Sequence, residues 1–156
     1  MRVLFVCLGN ICRSPLAEAI FKHKIAMSES VDVWESDSCG TSNYHIDDPP
    51  DPRTIKNALK NGVKINHLGR QIKPEDLDHF DLILAMDSAN YRGVMDVTGA
   101  FVHKHKVQLM RSYDPHGGED VPDPYYGGEK EFQEVFDILN RSIDSLIESL
   151  KKKALF

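Results

Sequence analysis

The sequence predicts an α/β protein built on a parallel sheet of about four strands with helices on both faces. Three observations carry this. Val3-Leu4-Phe5-Val6 and Leu82-Ile83-Leu84-Ala85-Met86 are unbroken apolar runs, as expected of strands covered on both sides. Strand-like runs alternate with stretches of helical spacing, the pattern of βαβ units with right-handed crossovers. A long amphipathic helix begins near Glu129, with Phe132, Val135, Phe136, Leu139, Ile143, Leu146, Ile147 and Leu150 on one face.

The elements follow in order. The first strand ends at Cys7. After a six-residue loop, Ser14-Pro15 reads as an N-cap followed by proline at the first helical position, starting a helix over 15–27. In that helix Leu16, Ala19, Ile20 and Phe21 form the apolar face, opposite Glu18, Lys22 and Lys24. A second strand is predicted at 31–38, then turn formers at 39–52. Asp51-Pro52 starts a helix that Gly62 stops. Residues 63–72 are poorly patterned, and 73–77 suggest one or two helical turns. The third strand spans 81–86, and Asp87-Ser88 caps a helix running into the nineties. A fourth strand at 107–110 leads into a loop at 111–128. Lys151-Lys152-Lys153 suit the negative end of the last helix dipole.

At 156 residues the chain fits a single domain, 1–156, with a sizeable core. The net charge of −5 and the lack of a basic stripe argue against nucleic acid. No apolar run has membrane-spanning length, so no membrane insertion is expected. Cysteines occur only at 7, 12 and 39, with no secretory segment ahead of them, implying a cytoplasmic protein with reduced thiols. The scattered histidines and unpaired cysteines give no zinc pattern.

Cys7-Leu8-Gly9-Asn10-Ile11-Cys12-Arg13-Ser14-Pro15 places a thiol at the end of a buried strand and a guanidinium at the start of a helix. Gly9 and Asn10 tolerate positive φ, so the loop can turn its N–H groups inward and cradle an anion at a helix N-terminus. Helix and arginine both favour a nucleophilic thiolate at Cys7. Arg13 offers a planar fork for two phosphate oxygens. The Ser14 hydroxyl could donate to the Cys7 sulfur.

This stretch resembles the phosphate-binding loop of the low-molecular-weight protein tyrosine phosphatases. The resemblance implies a three-layer fold with strand order 2-1-3-4, and a phosphatase that forms a cysteinyl-phosphate. Downstream, Asp123-Pro124-Tyr125-Tyr126-Gly127 is similar to the family's general-acid motif. Asp123 lies between Pro122 and Pro124, which restrict the backbone on either side. As an isolated dipeptide, Asp-Pro is also a common turn. By the same resemblance, Cys7 is the nucleophile, Arg13 the phosphate clamp and Asp123 the acid that protonates the leaving group and later activates water. Leu8, Gly9, Asn10, Ile11, Cys12 and Ser14 complete the loop. No metal or cofactor is implied, because guanidinium and amides supply the positive charge.

Tyr44 and Tyr125 match positions that flank the phosphotyrosine ring in the family, although each could equally be half-buried packing. His45 could face the substrate as well. Ser38 and His67 are implied to join Asn10 and Ser14 in a supporting network, and Asp87 to orient Arg13. Asp87 also reads as a helix cap, and a lone histidine is often structural. Cys12 either forms a reversible disulfide with Cys7, as the resemblance suggests, or packs beneath the loop. The implied ligands are phosphotyrosine proteins or peptides, with inorganic phosphate and similar oxyanions as inhibitors, and a monomer is expected. The alternatives are an arsenate-reductase-like redox enzyme and a phosphotyrosine-binding module without catalysis. The first needs cysteines well downstream of the loop, which this chain lacks after Cys39.

Overall fold

Alternation along one strand sets the layering. In the computed structural model, which describes residues 1–28 and 34–154, strand β1 (Arg2–Cys7) sends Val3, Phe5 and Cys7 to one face and Leu4 and Val6 to the other. Both sets are buried, so β1 has a helical layer on each side. It is also central in the sheet, which is parallel throughout in the order β2-β1-β3-β4. The predicted architecture and strand order are those observed.

Helices α1 (Arg13–Ala26), α2 (Pro52–Lys60) and α5 (Glu129–Ala154) contribute to the Phe5 side. Helices α3 (Pro74–His79) and α4 (Ser88–Met95), with a 3₁₀ segment at Ala100–Lys106, cover the Val6 side. The predicted apolar face of α5 is buried throughout, and Leu139, Ile143 and Leu146 are fully so. Each such side chain contributes on the order of 1.5–3 kcal/mol.

Several boundaries differ from expectation. Helix α1 begins at Arg13 with Cys12 as its N-cap, so Ser14 lies inside the helix and does not cap it. Its hydroxyl is engaged by Cys7 and Asn10 instead. Glu18, expected on the solvent face, is only 3% exposed. Of the predicted second strand, 31–33 lie outside the described residues. Strand β2 spans Glu35–Gly40 and outruns the prediction because its parallel pairing with β1 continues through Cys39 and Gly40. Strand β3 spans Leu82–Ala85, and β4 is Val107–Leu109, with Met110 already in a 3₁₀ turn. The caps at Asp51 and Asp87 form as predicted, accepting from the Arg53 and Asn90 amides respectively.

Gly40 is where the sheet meets the loop after β1. A Cβ there would lie 2.6 Å from the Leu8 carbonyl oxygen, so only glycine permits the approach. Thr41 N then donates to Cys7 O at 2.9 Å and Ser42 N to Leu8 O at 3.0 Å, suspending the loop from the end of β2.

Candidate active site

The carboxyl ends of β1 to β3 and the loops beyond them form one rim, the position for ligands in an open parallel sheet. A cleft of about 260 Å³ opens there, lined by Cys7, Leu8, Gly9, Ile11, Cys12, Arg13, Tyr44, His45, Asp123, Tyr125 and Tyr126. Residues 7–13 and 123–126 are thus brought together across the rim.

At the cleft floor Cys7 is 3% exposed. Its sulfur accepts from Asn10 N at 3.3 Å and lies 3.0 Å from Ser14 Oγ. Asn10 has φ 58°, a left-handed conformation that asparagine tolerates better than most residues. Its side chain explains why this conformation persists. Nδ2 donates to Ser14 Oγ (2.8 Å) and Ser38 Oγ (3.1 Å), while Oδ1 accepts from His67 Nε2 (2.7 Å) and Arg70 N (3.0 Å). Ser14, Ser38 and His67 therefore do form one network with Asn10, as the resemblance implied.

The network continues to an acid that sequence reasoning placed in solvent. Glu18 Oε1 accepts from Ser38 Oγ at 2.7 Å and lies 3.2 Å from His67 Nδ1, while Oε2 pairs with Lys22. Burial pushes the Glu18 carboxyl up, but His67, Lys22 and Ser38 outweigh it and hold the group below the usual carboxylate range. Glu18, Asp37 and His67 also come within metal-ligand reach of one another. Their polar atoms are already engaged, Asp37 by Arg70 Nε at 3.0 Å.

Arg13 is 3% exposed, and its Nη1 donates to Asp87 Oδ2 at 2.7 Å and to Val121 O at 2.9 Å. Burial opposes its charge, but Cys7 and Asp87 overcome this and raise its pKa further. Asp87 does both things read from it: one oxygen holds Arg13 and the other caps α4 through Asn90 N at 2.7 Å. Asn90 was not singled out by sequence. With its amide nitrogen toward Asp87, its oxygen accepts from Leu8 N at 3.2 Å, tying α4 to the loop. An asparagine inside a helix gives no sequence signal for such a role.

Asp123 faces the loop from the opposite wall. Its Oδ1 accepts from Tyr125 N at 3.1 Å, and Oδ2 lies 3.7 Å from Arg13 Nη2. About half of its side chain (47%) is exposed, so a proton can pass between it and a group in the cleft. Tyr44 and Tyr125 stand at the mouth, the first 70% and the second 40% exposed. Arg53 stacks over the Tyr125 ring at 5.4 Å. His45 faces the cleft and holds Asp48 Oδ2 at 3.1 Å. Cys12 is a free thiol, pushed up to about 12 by burial.

The family model described as low molecular weight phosphotyrosine protein phosphatase matches residues 2–155. A putative low molecular weight protein-tyrosine-phosphatase from Synechocystis is 44% identical over 154 residues, covering 98% of each chain. A protein tyrosine phosphatase from Entamoeba histolytica, solved with Hepes in its active site, superposes with a TM-score of 0.93 at 38% identity, covering 99% of each chain. A Drosophila arginine phosphatase superposes at 0.86 with 34% identity, covering 97% of this chain and 98% of its own.

Proposed function

Since the chain belongs to the low molecular weight phosphotyrosine protein phosphatase family, we propose that its cleft hydrolyses phosphotyrosine through a cysteinyl-phosphate on Cys7. The observation that carries this is the convergence of three groups on one cleft: the Cys7 sulfur, the Arg13 guanidinium and the Asp123 carboxyl.

The sulfur attacks phosphorus in line. Arg13 and the loop amides that remain free bind the three equatorial oxygens, where charge gathers in the transition state. Asp123 gives its proton to the departing phenoxide. Ser14, held as an acceptor by Asn10 Nδ2, directs its own proton toward the Cys7 sulfur and stabilises it as thiolate and as leaving group. In the second step Asp123 takes a proton from water, which displaces the sulfur and releases inorganic phosphate.

Leu8, Ile11, Tyr44 and Tyr125 make apolar and aromatic walls, which suit a flat aryl ring. The arginine phosphatase likeness raises phosphoarginine as a second substrate. A guanidinium would need an acidic partner, and the cleft lining contains only one carboxylate, Asp123. The walls therefore favour the aryl ester. Product phosphate and similar oxyanions would occupy the same loop and inhibit. We read the chain as one domain, 1–156, acting as a cytoplasmic monomer on phosphotyrosine proteins. Among the described residues no helix is long and apolar enough to cross a membrane.

The test is hydrolysis of aryl phosphates in the presence of a chelator. Cys7→Ser should lose more than about 10⁴-fold in turnover. Asp123→Asn should lose about 10²-fold in kcat/KM on phenyl phosphate but under about tenfold on 4-nitrophenyl phosphate, whose leaving group needs no proton. Intact turnover in Cys7→Ser would overturn the mechanism. A phosphoarginine kcat/KM above that for phosphotyrosine would overturn the substrate assignment.

A further inference from the structure

We propose that Ser88 and Asp120 form a latch that positions Asp123; this rests on reading Asp123 as the general acid. Ser88 N and Ser88 Oγ both donate to Asp120 Oδ1, each at 2.9 Å. The next residue continues the attachment: Val121 N donates to Met86 O at 2.7 Å, and Val121 O accepts from Arg13 at 2.9 Å. From behind, Arg111 Nη1 donates to Asp120 O at 3.0 Å and Nη2 to Gly117 O at 2.8 Å.

Beyond Val121 the loop is held mostly by its own backbone, with Arg53 touching only its far side at Tyr125 and Gly127 O. The hydrogen bonds at Tyr125 N and Gly127 N go to Asp123 and Pro124. Between the latch and the acid stand only Val121 and Pro122. Pro122 fixes its own φ, and Pro124 keeps Asp123 out of the helical region. A short stiff segment transmits the placement of its root to its tip, so the Asp123 carboxyl is aimed from residues 120 and 121.

The other end of the latch is significant. Ser88 directly follows Asp87, which holds Arg13. The first turn of α4 thereby grips the phosphate clamp with one residue and the acid loop with the next. The 3.7 Å separation of Arg13 Nη2 and Asp123 Oδ2 is referenced to one rigid joint. Asp120 is exposed and is not needed to fill the core. Its role is that of a positioning residue, because it touches neither sulfur nor cleft.

The experiment compares Asp120→Ala, Ser88→Ala and Asp120→Asn by kcat/KM on phenyl phosphate and 4-nitrophenyl phosphate, with thermal melts alongside. Asp120→Ala should lose about tenfold on phenyl phosphate and under about twofold on the nitrophenyl ester, a fraction of what removing the acid costs. Ser88→Ala, which keeps the backbone bond, should lose about threefold on the first substrate only. Asp120→Asn keeps the acceptor oxygen and should stay within about twofold of wild type on both.

In an Asp123→Asn background, Asp120→Ala should have no further effect on either substrate, since coupled residues are non-additive. Equal losses on both substrates, or the same loss with and without Asp123, would overturn the latch. Should Asp123→Asn itself show no leaving-group dependence, the acid assignment would fall first. Should it show that dependence while Asp120→Ala does not, only the latch would fall.

Discussion

The two loops that meet at the cleft are built on opposite terms. In the loop from Cys7 to Ser14, Asn10, Arg13 and Ser14 are all nearly or fully buried, and each is held by a group from elsewhere in the chain: the Ser38 and Asp87 side chains and the Cys39 carbonyl. In the segment carrying Asp123, the acid is half exposed and Tyr126 is 96% exposed. The contrast follows from what each loop handles. Developing phosphate charge is stabilised best by dipoles that do not reorganise, in a site shielded from water. A proton donor that must later address a water molecule cannot be sealed in that way. One loop is therefore fixed at many points, and the other chiefly at its root.

If that contrast holds, damage behind the phosphate loop should be felt most. Asp87→Ala leaves the buried Arg13 with the Val121 carbonyl and the more distant Asp123 carboxyl, and kcat should fall about 10²–10³-fold with both good and poor leaving groups. A loss confined to poor leaving groups would place Asp87 with the acid instead. Asn10→Ala removes four hydrogen bonds and puts alanine at φ 58°, and should destabilise by about 2–4 kcal/mol in urea unfolding. A change under about 0.5 kcal/mol would show that the loop is not held by this network.

The acid segment should respond at its root and not at its tip. Burial pushes the Asp114 carboxyl up, but Arg141, the His116 amide and Arg111 outweigh this and bring it from 3.8 to about 2. Because its folded pKa is depressed, the stability it contributes is present above about pH 4 and lost as pH falls toward 2. The stability gap between wild type and Asp114→Asn, measured by urea unfolding, should therefore narrow over that window. A gap constant with pH would refute the linkage. Smallest of all, Tyr126→Ala should change stability by less than about 0.5 kcal/mol. Its kcat/KM on a phosphotyrosine peptide should fall less than about threefold, because the ring stands at the cleft rim and is almost fully solvated. A tenfold fall would show that the ring closes over the substrate.

The same asymmetry governs what could be read from the sequence. The phosphate loop was legible because its parts are contiguous: strand, cysteine, glycine, arginine and helix start fall within a few residues. Helix α5 was legible from its periodicity. Glu18 was misread because its partners, Ser38 and His67, lie far along the chain, and an acid at a helical position facing away from leucines normally meets water. Of the two readings of Ser14, the cap fails and the contact with the Cys7 sulfur is present, because Ser-Pro looks the same whether the hydroxyl caps a helix or holds a thiolate. Residues 63–72 showed no pattern because backbone bonds hold them: Arg70 O accepts from Gly40 N, and Ile72 N donates to Gly40 O. Such bonds leave no mark on side-chain choice, yet they deliver His67 and Arg70 to Asn10.

The central place of β1 bears on how the molecule assembles. Cys7 comes early in the chain, but the groups that fix its loop follow much later: from the loop residues that hold them, Ser38 lies 28 positions on, His67 57, Asp87 74 and Val121 108. Contacts at such separations form late and slow folding, because long segments must be ordered first. During synthesis the thiol is therefore made long before the pocket that shields it. A nascent or partly folded chain carries it as an ordinary accessible cysteine, and reactivity toward phosphate appears only when the last strand and the segment beyond it have docked.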